Sequence, residues 1–228
     1  MNQTVAPARG GSAFGGDRGA WRVCTGRVFV ISSPSGGGKT TVVERLLCTG
    51  PRLVRSVSVT TRPRRPGERH GRDYRFVTLA AFQRLRQGGR LLECASVHGE
   101  WYGTLKTPVL RSLARGRHVV LCIDVQGARQ IRRALGACAV LVFLLPPSMS
   151  RLRARLLRRR TESPAAIRQR LAAARREIAC ARWYDHTVVN DRLDRTVRAM
   201  HGIICGHTRV RGAGEQRKGQ PTHGTSTD

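Results

Sequence analysis

Acidic residues are scarce in this 228-residue sequence, which has 14 Asp and Glu against 42 Lys and Arg and a formal net charge of +28. Lysine is scarce too, because it accounts for only three of the 42 basic residues. A basic surface attracts polyanions, so nucleic acid is one candidate partner. The arginines are spread through the chain instead of forming one stripe, which favours ordinary solvated positions. Nucleic acid contact is therefore open as an added activity and is not required.

Cysteine pairs, metal-binding motifs and long apolar runs are also missing. No two of the seven cysteines form a C-x-x-C pair, their number is odd, and no histidine joins them at metal spacing. A disulfide framework and a zinc site are therefore disfavoured, and reduced thiols favour a cytoplasmic location. No apolar stretch reaches the roughly 18 residues of a membrane span, so we expect no membrane partner.

Two segments without a core pattern flank one folded unit. Residues 1–26 are rich in Gly, Ala and Arg, and residues 209–228 in Gly, Gln, Thr and His, so both are predicted to be flexible tails. The N-terminal segment lacks the apolar core of a secretory signal, and an organellar transit peptide is the alternative to a flexible start. Between the tails, residues 27–208 alternate apolar runs with helical patterns. Residues 58–104 interrupt this alternation, which indicates a small inserted module.

The alternation predicts an α/β fold with a parallel sheet of the P-loop NTPase type and helices on both faces. Strands are predicted at Arg27–Ile31, Val119–Ile123, Val140–Leu144 and Thr187–Val189. Helices are predicted at Thr41–Leu47, at Leu79–Gln87 and after Asp191 through Ile204, and further helices are predicted to begin after the capping residues Ser148 and Ser163. Ligands of such folds bind beyond the carboxyl ends of the strands.

A glycine-rich turn joins the first strand to the first helix, with the sequence Ser33-Pro34-Ser35-Gly36-Gly37-Gly38-Lys39-Thr40. It matches the pattern G-x-x-x-x-G-K-[ST], except that Ser33 replaces the first glycine. Consecutive glycines let the backbone aim its N–H groups at phosphate oxygens, beside the positive end of a helix. We expect Lys39 to reach the β- and γ-phosphates of ATP and Thr40 to ligate Mg²⁺. The loop predicts a kinase or an NTPase and does not choose between them.

A second polar group lies in the inserted segment, where arginines, tyrosines, hydroxyls and a carboxylate occur at Ser58, Arg62, Arg65, Tyr74, Glu93, Tyr102 and Thr104. Arginine forks and phenols bind a phosphate dianion well. A guanine edge offers N1–H and N2–H₂ donors to one carboxylate and an O6 acceptor to hydroxyls. Adenine has no N1–H and carries an amino group in place of O6, so it would leave these groups unpaired.

Together with the phosphate loop, these residues resemble the guanylate kinase family over roughly Arg27 to His207. The motifs that carry the resemblance are the loop, Ser58-x-Thr60-Thr61-Arg62, Tyr102-Gly103-Thr104, Ile123-Asp124-x-x-Gly127, Leu145-Pro146-Pro147-Ser148 and Val188-Val189-Asn190-Asp191. The resemblance implies transfer of the γ-phosphate of Mg·ATP to GMP, and also to dGMP. The alternatives are a non-catalytic guanylate-kinase-like binding module, a nucleic-acid-binding protein, and a P-loop kinase for another monophosphate.

The resemblance also implies residue roles. It divides residues 27–208 into a core, a GMP-binding module at 58–104 and a lid at 150–170. The implied GMP-binding residues are Ser58, Arg62, Arg65, Tyr74, Glu93, Tyr102, Thr104 and Asp124. The implied catalytic residues are Lys39 and Arg62 with the lid arginines Arg155, Arg159 and Arg170. The implied ATP-binding residues are those of the phosphate loop, Ser33 to Thr40, together with Asn190. The implied metal-binding residues are Thr40 and Asp124.

The sequence departs from the family pattern in two places. Cys122 occupies a position where the family usually has a carboxylate, and a thiol cannot replace that charge. Arg158 and Arg160 occupy lid positions where the family has glycines.

Overall fold

The computed structural model describes residues 26–48, 52–97, 99–158 and 163–209. The predicted tails at 1–26 and 209–228 therefore lie almost entirely outside the described residues. The described strands are β1 Val28–Ser32, β2 Leu53–Arg55, β3 Val59–Thr60, β4 Arg75–Phe76, β5 Leu91–Val97, β6 Glu100–Leu105, β7 His118–Cys122, β8 Ala139–Leu145 and β9 His186–Val189. The described helices are α1 Lys39–Leu47, α2 Leu79–Gln87, α3 Lys106–Ala114, α4 Val125–Leu135, α5 Met149–Leu157, α6 Pro164–Ala179 and α7 Leu193–Arg209.

The main sheet has five strands in the order β2-β7-β1-β8-β9, and every pairing in it is parallel. β1 lies at its centre, and all five of its residues are buried. Strands covered on both faces need apolar side chains at successive positions, which explains the unbroken apolar runs of β1 and β8. The predicted parallel α/β sheet is confirmed.

Helices cover the two faces of this sheet with separate sets of apolar side chains. On one face, Val28 and Val30 of β1 pack in a cluster with α3 and α4 residues, including Ile131. On the other face, Phe29 and Ile31 pack with α1 and α7. Since successive side chains of a strand point to opposite faces, one apolar run supplies both clusters.

A smaller sheet in the order β4-β3-β6-β5 lies within the segment predicted to be an inserted module. Its apolar side packs against α2, where Phe82 is 1% exposed and groups with Val59 and Leu91. The sheet is joined to α4 by Gln130, whose side chain accepts from the Cys94 N–H at 3.1 Å and donates to the Cys94 carbonyl at 2.7 Å. This pairing fixes β5 beside the end of the main sheet.

Polar side chains cap four helices at their first turns. Ser148 and Ser163 accept hydrogen bonds from the backbone N–H groups of Arg151 and Ala166, so both predicted caps are confirmed. Thr78 and Asp124 cap α2 and α4 in the same way. Among the described residues, no helix has the length and apolar character that crossing a membrane requires.

Phe143 offers a direct test of the core, because it is fully buried and its ring lies 5.1 Å from that of Tyr184. We expect Phe143→Ala to lower the free energy of unfolding by about 3–5 kcal/mol, since it removes packed apolar surface and leaves a cavity. Leu79→Ala is the control, because Leu79 is 50% exposed, and it should change stability by about 0.5 kcal/mol or less. Chemical denaturation measures both variants, and equal effects would contradict the assignment of this core.

Candidate active site

A cleft of about 550 Å³ opens between the carboxyl end of the main sheet and the small sheet. Its lining brings together sixteen of the predicted site residues, which are Ser33, Pro34, Ser35, Gly36, Gly37, Gly38, Lys39, Thr40, Ser58, Arg62, Arg65, Tyr74, Glu93, Tyr102, Asp124 and Arg170. Sequence segments far apart in the chain meet here because β1 and β7 are neighbours and end at the same edge.

The phosphate loop leaves β1 and curls into α1 through two glycines with positive φ, Gly36 at 83° and Gly38 at 90°. Lys39 turns back over the loop, and its Nζ donates to the Ser33 carbonyl at 2.5 Å and to the Ser33 hydroxyl at 3.2 Å. The start of α1 has no side-chain cap, so no capping side chain takes up its first N–H groups. Uncapped N–H groups beside a lysine form a binding site for phosphate oxygens.

The loop is braced by Asn190, which is 6% exposed and follows β9. Its Nδ2 donates to the Gly37 carbonyl at 2.7 Å, and its Oδ1 accepts from the Thr196 hydroxyl at 3.1 Å. Protein groups therefore engage both ends of the amide. The predicted contact of Asn190 with the adenine of ATP stays a prediction.

Of the three predicted lid arginines, two contact the phosphate loop. Arg155 donates to the Gly37 carbonyl at 3.4 Å and to the Asn190 carbonyl at 3.1 Å. Arg170 donates to the Ser35 hydroxyl at 2.6 Å. Arg159 lies outside the described residues, and Arg158 is the exposed C-cap of α5.

On the acceptor side, Arg62 is held in one orientation by ring contacts and an ion pair. Its guanidinium lies 5.4 Å from the centre of the Tyr74 ring, and its Nη2 lies 2.7 Å from Oε1 of Glu68. The other oxygen of Glu68 accepts from the Arg65 N–H at 2.8 Å. Partial burial opposes ionisation of Glu68, yet the hydrogen bonds from Arg62 and Arg65 leave its pKa below the usual value. Glu68 thus stays charged and holds together the loop that carries Arg62 and Arg65.

The two predicted tyrosines lie together, with the Tyr74 and Tyr102 rings 5.9 Å apart in an edge-to-face arrangement. Burial raises the pKa of Tyr74, and the nearby Tyr102 adds to the rise. The phenol therefore keeps its proton near neutral pH, and a protonated phenol is the form that donates a hydrogen bond to phosphate.

Glu93 on β5 is 3% exposed, and its Oε1 accepts a 2.6 Å hydrogen bond from the hydroxyl of Thr104 on β6. Thr104 is fully buried and does not line the cleft itself. The other oxygen, Oε2, approaches α4 where Gly127 has no side chain, since a Cβ there would lie 2.5 Å from it. Burial, with a smaller contribution from the negative charge of Asp124, raises the pKa of Glu93 to about 7 despite the Thr104 hydrogen bond.

Asp124 and Thr40 are the two predicted metal-side residues, and both line the cleft. Asp124 caps α4, with Oδ1 accepting from the Gly127 N–H at 2.9 Å and Oδ2 from Gln126 at 3.2 Å. Within the described part of the chain, no three His, Cys, Asp or Glu side chains group as a metal site. Mg²⁺ does not require such a group, because this ion usually keeps several waters and is held by one or two protein ligands together with substrate phosphates.

This chain is similar to proteins of one family. The guanylate kinase family profile matches residues 25–206. A guanylate kinase of Gloeobacter violaceus is 50% identical over 178 residues, covering 78% of this chain and 86% of the relative. A guanylate kinase of Coxiella burnetii is 45% identical over 190 residues, covering 83% and 92%.

The chain belongs to the guanylate kinase family. A solved structure agrees, since the guanylate kinase from Anaplasma phagocytophilum superposes with a TM-score of 0.70 at 34% identity, covering 82% of this chain and 88% of that one. This chain is thus a nucleoside monophosphate kinase.

The guanylate kinase cleft contains charged residues that sequence reasoning missed. They are Arg55, Glu68, Asp73, Glu100 and Glu177. Glu68 follows Arg62 by six residues in a loop, so no helical or strand period relates the two partners. Glu100 on β6 accepts a 2.7 Å hydrogen bond from the hydroxyl of Thr61, the residue after β3, a pairing that requires knowledge of the register.

Asn190→Ala separates bracing of the loop from recognition of adenine. Loss of the amide leaves the buried Gly37 carbonyl without its 2.7 Å donor, so we expect the affinities for ATP and for inorganic tripolyphosphate to fall alike, by about tenfold. Arg195→Ala, at an exposed position of α7, is the control and should leave both unchanged. Calorimetric titration measures both affinities. A lower affinity for ATP with an unchanged affinity for tripolyphosphate would instead support the adenine contact.

The predicted contact of Glu93 with guanine implies that guanosine binding depends on pH, because guanine donors need the ionised carboxylate and its pKa lies at about 7 in the free protein. Protonation increases as the pH falls, so we expect the guanosine Kd to be constant near pH 8 and to rise toward tenfold per pH unit below pH 7. Glu93→Gln should bind guanosine weakly and without this dependence. A wild-type Kd that stays constant from about pH 8 to about pH 5.5 would contradict the assigned role.

Proposed function

We propose that this chain transfers the γ-phosphate of Mg·ATP to GMP, and also to dGMP, in the cleft between the two sheets. The observation that carries the proposal is the placement of the phosphate loop opposite the group formed by Glu93 and Arg62, all lining one cleft. A donor triphosphate on the loop and a guanine nucleotide on the small sheet would then present their phosphates to each other. Proximity of this kind supplies much of the catalysis of phosphoryl transfer.

On the donor side, the loop from Ser33 to Thr40 binds the phosphates of ATP through its N–H groups and Lys39. Thr40 and Asp124 are the residues that would hold Mg²⁺, and their hydroxyl and carboxylate oxygens suit this ion. When bound, Mg²⁺ neutralises charge on the transferring phosphate. Asn190 and Arg155 keep the loop in shape, as their contacts with the Gly37 carbonyl support.

On the acceptor side, Arg62, Arg65, Tyr74 and Tyr102 bind the GMP phosphate. Glu93 accepts hydrogen bonds from guanine N1 and N2. Ser58 and Thr104 are the residues assigned to guanine O6. Support comes from Ser58, which lines the cleft, whereas the hydroxyl of Thr104 donates to Glu93 when no ligand is bound. Burial of Glu93 supports its role in selectivity, because a base without matching donors would leave a buried carboxylate unpaired.

The reaction requires no strong general base, since the acceptor phosphate is already ionised near neutral pH. Catalysis is therefore positioning and charge stabilisation. Lys39 and Arg62 act on the reacting phosphates, and the lid residues Arg155, Arg159 and Arg170 close over them and exclude water. The 2.6 Å contact from Arg170 to Ser35 supports its nearness to the donor phosphates.

We place this reaction in the cytoplasm as a step of purine nucleotide metabolism. The support is the state of the cysteines, because the six that lie in the described residues are all free thiols. Free thiols are the usual state in a reducing compartment.

A coupled assay with Mg·ATP and each of GMP, dGMP, AMP, UMP and CMP tests the proposal. We expect turnover with GMP and dGMP alone. Glu93→Gln should lower kcat/KM for GMP about 100-fold or more and reduce the preference over AMP, because one set of guanine donors loses its carboxylate. Glu44→Gln, at an exposed position of α1, is the control and should match the wild type.

Two outcomes of this assay would overturn the proposal. Turnover of AMP but not GMP would refute the acceptor assignment. No turnover of any nucleotide, with GMP binding shown by a calorimetric titration, would support the non-catalytic binding module instead.

A further inference from the structure

Arg55 is a cationic side chain in the cleft to which neither the sequence motifs nor the proposed reaction gives a role. It is the last residue of β2, the edge strand of the main sheet, and it pairs with Val120 of β7. Because β2 is parallel to β7 and ends at Arg55, the residue lies on the side of the sheet toward its carboxyl end. Its side chain lines the same cleft as Lys39 and Arg62.

The electrostatic neighbours of Arg55 locate its charge between the donor and acceptor halves of the cleft. Burial raises the pKa of the Cys122 thiol, and the positive charges of Arg55 and Lys39 oppose that rise. Burial likewise raises the pKa of Tyr74, and there the opposing charges are Arg55 and Arg62. Arg55 therefore acts on a neighbour of the phosphate-loop lysine and on a tyrosine of the acceptor site.

The guanidinium of Arg55 is poorly satisfied by the protein. Its Nε is buried and has no hydrogen-bond partner within the described part of the chain. Its Nη2 donates to the Asp73 carbonyl at 3.4 Å, which is long for a hydrogen bond. No ion pair joins Arg55 to a carboxylate of the described residues. Cys122 supplies no compensating charge, since its raised pKa keeps the thiol neutral.

The buried Nε of the partly exposed Arg55 favours an anionic ligand, because a donor of a charged group is costly to leave unpaired once it is removed from water. Arg62 meets this need inside the protein through Glu68 at 2.7 Å. No carboxylate of the described residues lies within ion-pair distance of Arg55, and the nearby Asp73, whose pKa Arg55 helps to lower, is itself paired with Arg72. Arginine N–H groups match the oxygens of a phosphate dianion, to which they bind with charge-assisted hydrogen bonds. The chemistry at Arg55 therefore favours a phosphate ligand in the cleft.

We propose that Arg55 binds the acceptor phosphate on its side facing the phosphate loop, while Arg62 and Tyr74 bind the opposite side. This inference rests on the proposed function and adds a binding residue to its acceptor site. Two anionic phosphates repel each other as they approach, and a cation between them lowers that repulsion in a poorly solvated cleft. Arg55 thus assists binding of GMP and its approach to ATP.

Binding of GMP and of guanosine to Arg55→Gln tests this role, because the two ligands differ only in the phosphate. We expect the Kd of GMP to rise about 10- to 100-fold, the range for a charge-assisted hydrogen bond, and the Kd of guanosine to stay unchanged. Arg55→Lys keeps the charge without the fork and should recover part of the lost affinity. Arg75→Gln removes the same charge from an exposed position of β4 and should behave as the wild type in calorimetric titrations.

Two results would overturn the role of Arg55. An equal loss of affinity for GMP and for guanosine in Arg55→Gln would show that Arg55 shapes the cleft instead of binding phosphate. Unchanged GMP affinity in Arg55→Gln, with a melting temperature like that of the wild type, would remove it from the site altogether. Both results leave the proposed function intact when the wild-type protein phosphorylates GMP. A wild-type protein inactive toward GMP would instead refute the proposed function, whatever Arg55 does.

Discussion

A carboxyl group nearly out of contact with water lies where the small sheet meets the main domain, and the acceptor half of the cleft is arranged around it. Glu93 is bound by Thr104 from the neighbouring strand and approaches α4 at Gly127, where any side chain would collide with it. Gln130 of the same helix pairs with the adjacent residue of β5, so the strand cannot shift without losing both contacts. Desolvation makes the carboxylate costly until matching donors arrive, and in the proposed function this cost is the source of base selectivity.

The donor half depends on a different constraint, the parallel order of the main sheet. Because β1 is central and ends beside β7, the phosphate loop and Asp124 occupy one edge. The loop keeps its shape through residues from the far end of the chain, since Asn190 and Arg155 both contact the Gly37 carbonyl. A shift in either β9 or α5 would therefore reach the phosphate loop directly. The two halves meet in one cleft that carboxylates and arginines line together, so in the proposed function charge placement governs both binding and transfer.

Features set by local backbone chemistry were predictable from the sequence, and features set by contacts between distant segments were not. The glycines of the phosphate loop and the capping serines Ser148 and Ser163 act on neighbouring residues, so their motifs specify them. β2 was missed because it has three half-buried residues and no apolar run, and Arg55 was missed with it. The contact between Asn190 and Gly37 joins residues 153 positions apart, which only the folded chain reveals. The family resemblance supplied candidate positions but no hydrogen-bond partners.

The most direct test of guanine recognition by a buried carboxyl group is an NMR titration of the Glu93 carboxyl carbon, with its signal identified by its loss in Glu93→Gln. In the free protein the signal should titrate near pH 7, as burial dictates. Saturating GMP should move the midpoint down by about two pH units or more, because guanine donors stabilise the ionised form, whereas AMP should leave it in place. A midpoint near the ordinary value of 4.5 in the free protein, or the same midpoint with and without GMP, would contradict the central role of Glu93.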